Sequence, residues 1–206
     1  MKRISTDADY LESGKIVLDA DGIPFEPASK GYVDQRVPID SFTGTGSPEG
    51  KVSAPVGSIY VDSAATNGAI RWVKTSGTGT TGWRVEYGDT GIRDITSLIE
   101  GDRGTGRARI QRIGNTVMLA LNNIPTPGDG GYMSIPNFIP VGFRSSFNWQ
   151  YLGVGKISSI DASGPLRIGG NGDLLIYRTP SETRINGTVT YISDTPWPTT
   201  LPGTPA

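Results

Sequence analysis

Short runs rich in Val, Ile, Tyr and Trp recur along the chain, and each is cut off within a few residues by Gly, Asn, Asp, Ser, Thr or Pro. Runs of that length leave no room for an amphipathic helix. They predict strands of an all-β sandwich or barrel. The punctuation is heavy: 29 Gly and 15 Pro stand among 206 residues, against ordinary usage of roughly 7% and 5%. A chain so interrupted can bury a core, but not a large one.

Four regions are expected. Residues 1–47 hold one apolar run, Lys15-Ile16-Val17-Leu18, followed by the turn signal Asp19-Ala20-Asp21-Gly22. A short helix capped by Ser29 would carry Tyr32, Val33, Arg36 and Val37 before Pro38 ends it. Region 1–47 is too poor in apolar residues to bury a core alone, so it is expected to attach to something else.

Residues 48–91 form a small β module. Its expected strands are Gly57–Asp62, Ala69–Lys74 and Trp83–Tyr87, the last two joined by a flexible glycine-rich loop over 75–82. Alternation places Ile70, Trp72 and Lys74 on one face, and Trp83, Val85 and Tyr87 on one face of the next strand. Three strands with an apolar face are near the minimum for a stable sheet.

Residues 92–195 are expected to form an antiparallel, jelly-roll-like β-sandwich of about six strands. Arg107–Ile113 leads through Gly114-Asn115 into Thr116–Leu121, which reads as a hairpin with Val117, Leu119 and Leu121 inward and Arg107, Arg109 and Gln111 outward. Gly169-Gly170-Asn171-Gly172 marks a second hairpin tip. Residues 196–206 form a Pro-rich extended tail.

Composition narrows function. The net charge is −1, which argues against a cationic nucleic-acid binder or a polybasic membrane-surface protein. No run approaches the roughly 18 apolar residues of a membrane span. The first residues turn acidic where a signal peptide would have its apolar run, so export by the usual route is not expected. With neither cysteine nor histidine in the chain, thiolate nucleophiles, sulfur zinc sites and the commonest general base are excluded. No cofactor or metal is expected.

The motifs are thin. Gly77, Gly79 and Gly82 spell a dinucleotide-like pattern, but a strand follows where a helix is required. Asp19 and Asp21 lack the later ligands of a calcium loop. Asn186-Gly187-Thr188 matches a glycosylation acceptor without a secretory context. Asp89, Asp94, Glu100, Asp102, Asp161 and Asp173 are available for glycoside hydrolysis, yet nothing sets any two at a working separation. Among aromatics, Trp149, Tyr151 and Tyr132 are candidates for stacking on sugar rings or filling a partner pocket, the alternative being a place in the core. Trp197, between two prolines, is hard to bury alone and is a candidate for docking.

Ala28-Ser29-Lys30-Gly31-Tyr32-Val33-Asp34 resembles an element found near joints of phage tail fibres. Ala54–Asp62, with Ala69–Lys74 and Gly82–Gly91, resembles a module of minor tail proteins in phages of actinobacteria. Arg107–Leu121, Pro140–Arg144 and Pro196–Gly203 are similar to the carboxy-terminal domain of the same proteins. This resemblance implies a virion component of the tail tip or a tail fibre, non-enzymatic and homotrimeric, made in the bacterial cytoplasm. Other tail proteins would hold its N-terminal segment, and its last domain would contact the host cell surface. A neutral surface rich in Gly, Ser, Thr and Asn with scattered aromatics suits a glycan there. Under that expectation Tyr32, Val33, Ile59, Trp72, Trp83 and Trp197 pack between subunits. The alternatives are a decoration or head-fibre protein without a receptor role, and a glycan-degrading tail enzyme.

Overall fold

The structure, a computed structural model, describes residues 17–18, 24–25, 40–99, 106–125, 131–147, 150–157, 163–178 and 184–206. It is all-β, as the punctuated strand pattern predicts; one turn of 3-10 helix at Thr96–Leu98 is the only helical element among the described residues. The chain divides into two compact units, Met1–Asp40 and Ser41–Ala206. In the first, β1 (Val17–Leu18) runs antiparallel to β2 (Pro24–Phe25), with Val17 opposite Phe25. The helix expected after Ser29, with Tyr32 and Val33, lies outside the described residues.

The second unit contains two sheets. The smaller has β3 (Ser41–Gly44), β4 (Ile59–Asp62), β5 (Ala69–Lys74) and β6 (Trp83–Gly88) in that spatial order. Strand β3 was not expected. Its Ser-Phe-Thr-Gly sequence offers only Phe42 as an apolar anchor, and it forms by pairing parallel to β4 after a long crossover.

Two bulges alter the facing expected from strict alternation. Trp72 pairs with Val85, Arg71 with Tyr87, and Ala69 with Gly88. Glu86 is therefore an extra residue on β6 and Ile70 an extra residue on β5. Each insertion reverses the phase beyond it. Ile70 leaves the face of Trp72 and is 40% exposed; Tyr87 leaves the face of Trp83 and is 59% exposed. The outer face gains an Arg71–Glu86 ion pair at 2.8 Å. The inner face keeps Tyr60, Ala69, Trp72 and Trp83, all buried, with Phe42 and Val85 packed against them.

The glycine-rich loop over 75–82, expected to be flexible, is strapped down. Buried Lys74 sends its ammonium back into the loop, donating to the carbonyls of Gly79 and Thr81. Gly50 N–H donates to Thr80 O at 2.9 Å. The Glu49 carboxylate accepts from the N–H groups of Gly82 at 3.0 Å and Trp83 at 2.8 Å. Replacing Lys74 with Met keeps the stem but strands two carbonyls. That change is expected to lower stability by about 2 kcal/mol and to open the loop to proteolysis, read by thermal melting and limited digestion.

The larger sheet comprises β7 (Arg93–Asp94), β8 (Arg107–Ile113), β9 (Thr116–Pro125), β10 (Gly131–Ile135), β11 (Gln150–Ile157), β12 (Ser163–Ile168), β13 (Leu174–Arg178), β14 (Arg184–Ile192) and β15 (Thr204–Pro205). They form one antiparallel ladder in the order β10-β13-β12-β11-β14-β9-β8-β7-β15. The two halves of the sandwich are thus hydrogen-bonded into a single sheet. They join where β11 meets β14, the pairs among the described residues being Lys156–Asn186 and Ile157–Ile185. Nearby, β9 bulges against β14; Asn123 takes φ +56°, and its N–H donates to Asn186 Oδ1 at 2.7 Å. A bulge of this kind lets a sheet turn a corner.

Both halves feed one core. Ala108, Ile110, Val117, Leu119 and Leu121 come from one half, and Leu166, Ile168, Leu174 and Ile176 from the other. Phe138, Ile139 and Phe143 from the connection after β10 close it. The inward set Val117, Leu119 and Leu121 and the outward Arg107 and Arg109 follow the expected alternation. Gly114 stands at φ +55° in the two-residue turn between Ile113 and Thr116, the positive φ that a type II′ hairpin places at its first central residue.

Candidate functional site

The two sheets of the second unit meet at the turn of the β8–β9 hairpin. Asp89, just past β6, bridges Ile113, and Gly114 N–H donates to Gly88 O at 3.0 Å. The chain after β14 then returns across this junction. Ser193 N–H donates to Asn115 O, Trp197 enters the core of the small sheet, and β15 pairs with β7. A cleft of about 700 Å³ remains between the small sheet, the 47–51 segment, the hairpin tip and residues 192–199.

Arg112 forms part of its wall. The inward phase of β8 runs Ala108, Ile110, Arg112, so the strand carries a guanidinium to a core position, only 3% exposed. Nε donates to Gly114 O at 2.9 Å, and Nη1 donates to Gly142 O and, at 3.3 Å, to Pro196 O. The guanidinium carbon lies 5.0 Å from the centre of the Trp197 ring, a cation–π arrangement. Burial lowers the Arg112 pKa to about 10, so the group is cationic at neutral pH. Tyr191, pushed well above its ordinary value by burial, donates its hydroxyl to Phe143 O at 2.8 Å.

The remaining wall is aromatic and polar. Trp83 Nε1 donates to Val52 O at 2.8 Å and Trp197 Nε1 to Asn67 O at 2.9 Å. Trp72 Nε1 is buried with no partner. The two carboxylates on the cleft are occupied. Glu49 braces the 75–82 loop, and Asp194 accepts from Ser146 N–H at 2.7 Å and from the Ser146 hydroxyl.

The tryptophans expected to pack between subunits pack within one chain instead. Trp72, Trp83 and Trp197 share a buried cluster because the C-terminal segment folds back over Gly88. A side chain already enclosed in this way has little area left for a second copy. Ile59 differs: it is half-buried on the opposite face of the small sheet, paired with Val73. For the expected sugar contacts, Trp149 lies outside the described residues. The backbone sets Tyr132 on β10 opposite Tyr177, and Tyr151 on β11 opposite Arg167. Arg112 was not singled out by sequence reasoning, although a charged residue in the inward phase of an alternating strand is the signal that would have found it.

The described acids considered for hydrolysis serve as turn braces. Asp89 accepts from Gly91 N–H and Gln111, Asp94 from Thr96 N–H, and Asp173 from Asn137 N–H. Among the described residues no three His, Cys, Asp or Glu side chains converge as a metal site, and no helix is long and apolar enough to cross a membrane. No protein-family model matches the chain, and no curated protein matches it in sequence.

Hydrogen bonds depress three carboxyls. Asp94 is held below its ordinary pKa by the Thr96 hydroxyl and N–H, and Asp194 by the Ser146 hydroxyl and N–H. At Asp62 burial pulls upward, but the N–H groups of Gly46, Ala65 and Ala64 outweigh it. A folded-state pKa below the unfolded one contributes stability above the unfolded value, about 3.9, that is lost as pH falls through the folded value. The melting temperature is therefore expected to fall steeply below roughly pH 4, and Asp94→Asn to flatten that fall. Melts run from pH 7 to pH 2 check it.

Proposed function

We propose that this chain is a structural, non-enzymatic protein of a bacteriophage tail tip or tail fibre. It assembles as a homotrimer, is held to other tail proteins by its N-terminal segment, and contacts a host-surface glycan. The observation that carries this reading is the outer face of the four-stranded sheet. Ile59, Val61 and Val73 lie there half-buried, and Ile70 and Tyr87 are exposed beside the Arg71–Glu86 pair. An outer face on which apolar side chains alternate with Arg71, Arg84 and Glu86 is one that neighbouring copies can cover with both packing and ion pairs. Repetition of one site on a particle then strengthens weak contacts by avidity.

Light scattering on the purified chain tests the assembly, and a trimer is expected. The double change Ile70→Glu with Tyr87→Glu should convert it to monomer, with a stability cost of no more than about 1 kcal/mol because both side chains are already exposed. Adsorption of labelled protein to bacterial cells tests the receptor role. A trimer that never adsorbs, yet is required for particle integrity, favours a decoration or head-fibre role. A monomer that no face mutation alters overturns the assembly.

A further inference from the structure

The cleft wall carries one charged side chain with an unmatched hydrogen-bond donor, Arg112. Arg112 uses Nε and Nη1 on three carbonyls, while Nη2 has no hydrogen-bond partner among the described residues. Nη2 is also not among the atoms sealed from solvent. Trp72, 5% exposed and on the same wall, has an indole N–H with no partner. Arg112 is 3% exposed and its open Nη2 is the donor that a ligand in the cleft can engage, whereas the Trp72 N–H is sealed from solvent. Arg71–Glu86 is the only ion pair among the described residues, and it lies on the opposite face of the small sheet. The Arg112 charge therefore has no carboxylate in direct contact. Asp194 is nearby, but both its oxygens accept from Ser146.

We infer that this cleft binds a carboxylate-bearing sugar, with the carboxylate on Arg112 Nη2. The guanidinium is the charge-assisted donor suited to that group. Ser47, Ser76, Asn115 and Thr199 put uncharged polar side chains among the lining, and Trp72, Trp83 and Trp197 put aromatic ones there, a mixture suited to the hydroxyls and the C–H faces of a sugar ring. A volume of about 700 Å³ falls within the usual range for small-ligand sites. This inference rests on the glycan-contact reading above and names its site and ligand class.

Titration of the full chain with hexuronate oligosaccharides, followed by tryptophan fluorescence, tests it; methyl-esterified oligosaccharides and triglutamate serve as controls. Saturable binding of the free acids is expected, with the neutral esters and the peptide weaker by roughly tenfold or more. Arg112→Lys should weaken hexuronate binding by a similar factor. Thr199→Trp, an exposed change that plugs the cleft without touching Arg112, should abolish binding while leaving the melting temperature unchanged. No hexuronate binding, equal binding of the esters, tighter binding of triglutamate, or a Thr199→Trp protein that binds normally would each overturn the inference. Cell adsorption by a trimer with no hexuronate binding would overturn this site and leave the proposed function standing.

Discussion

Arg112→Met is expected to lower the stability of the Ser41–Ala206 unit by about 4 kcal/mol, mostly through bonds lost rather than volume lost. The guanidinium ties together the hairpin turn at Gly114, the connection at Gly142 and the returning chain at Pro196. Hydrogen bonds to a charged group contribute about 1.5 to 3 kcal/mol each, and the abandoned carbonyls regain only part of that from water. Methionine preserves the stem and the packing of β8, so the effect isolates the polar head. For a unit of this size the melting temperature should drop by roughly 8 to 16 °C. Chemical denaturation should show a lower midpoint with an unchanged slope, since the surface exposed on unfolding is the same. A drop of only a degree or two would mean that the three segments are held by other contacts.

Trp197→Ala should cost a similar amount, about 3 to 5 kcal/mol, for a different reason. The indole fills the small sheet's core beside Gly88, where even a single added carbon would meet the ring at 2.9 Å. Its removal leaves a cavity, an unbonded Asn67 carbonyl and an Arg112 face without its ring. Trp197→Phe should recover part of the loss by restoring ring volume without the N–H. Hydrogen exchange locates the damage: protection should fall first in β5 and β6, while β12 and β13, in the other half of the large sheet, keep theirs.

Strand positions and inward sets were legible where alternation runs unbroken. Val117, Leu119 and Leu121 announce their face by their every-second spacing, although the intervening Met118 and Ala120 are themselves apolar, and Gly114-Asn115 announces the turn between β8 and β9. The facing of Ile70 and Tyr87 was not legible, because a bulge is one inserted residue whose position depends on the partner strand. Strand β3 was silent, since a four-residue edge with one aromatic becomes a strand only when a neighbour offers its free edge. The cleft was the least legible part. Its wall is drawn from residues 47 to 199, which the topology alone brings together. Arg112 also sits in a run of arginines whose other members face solvent.

The returning segment also sets an order of events during synthesis. Trp197 bonds to Asn67 across 130 positions, and Asn67 in turn donates to Pro198 O across 131. Until the ribosome has delivered that stretch, β5 and β6 exist as a sheet with one wall missing and an oily surface open to water. A nascent chain of this design holds that surface uncovered across some 130 positions of synthesis, and its demand for chaperone shelter should be greatest when translation pauses before Pro196.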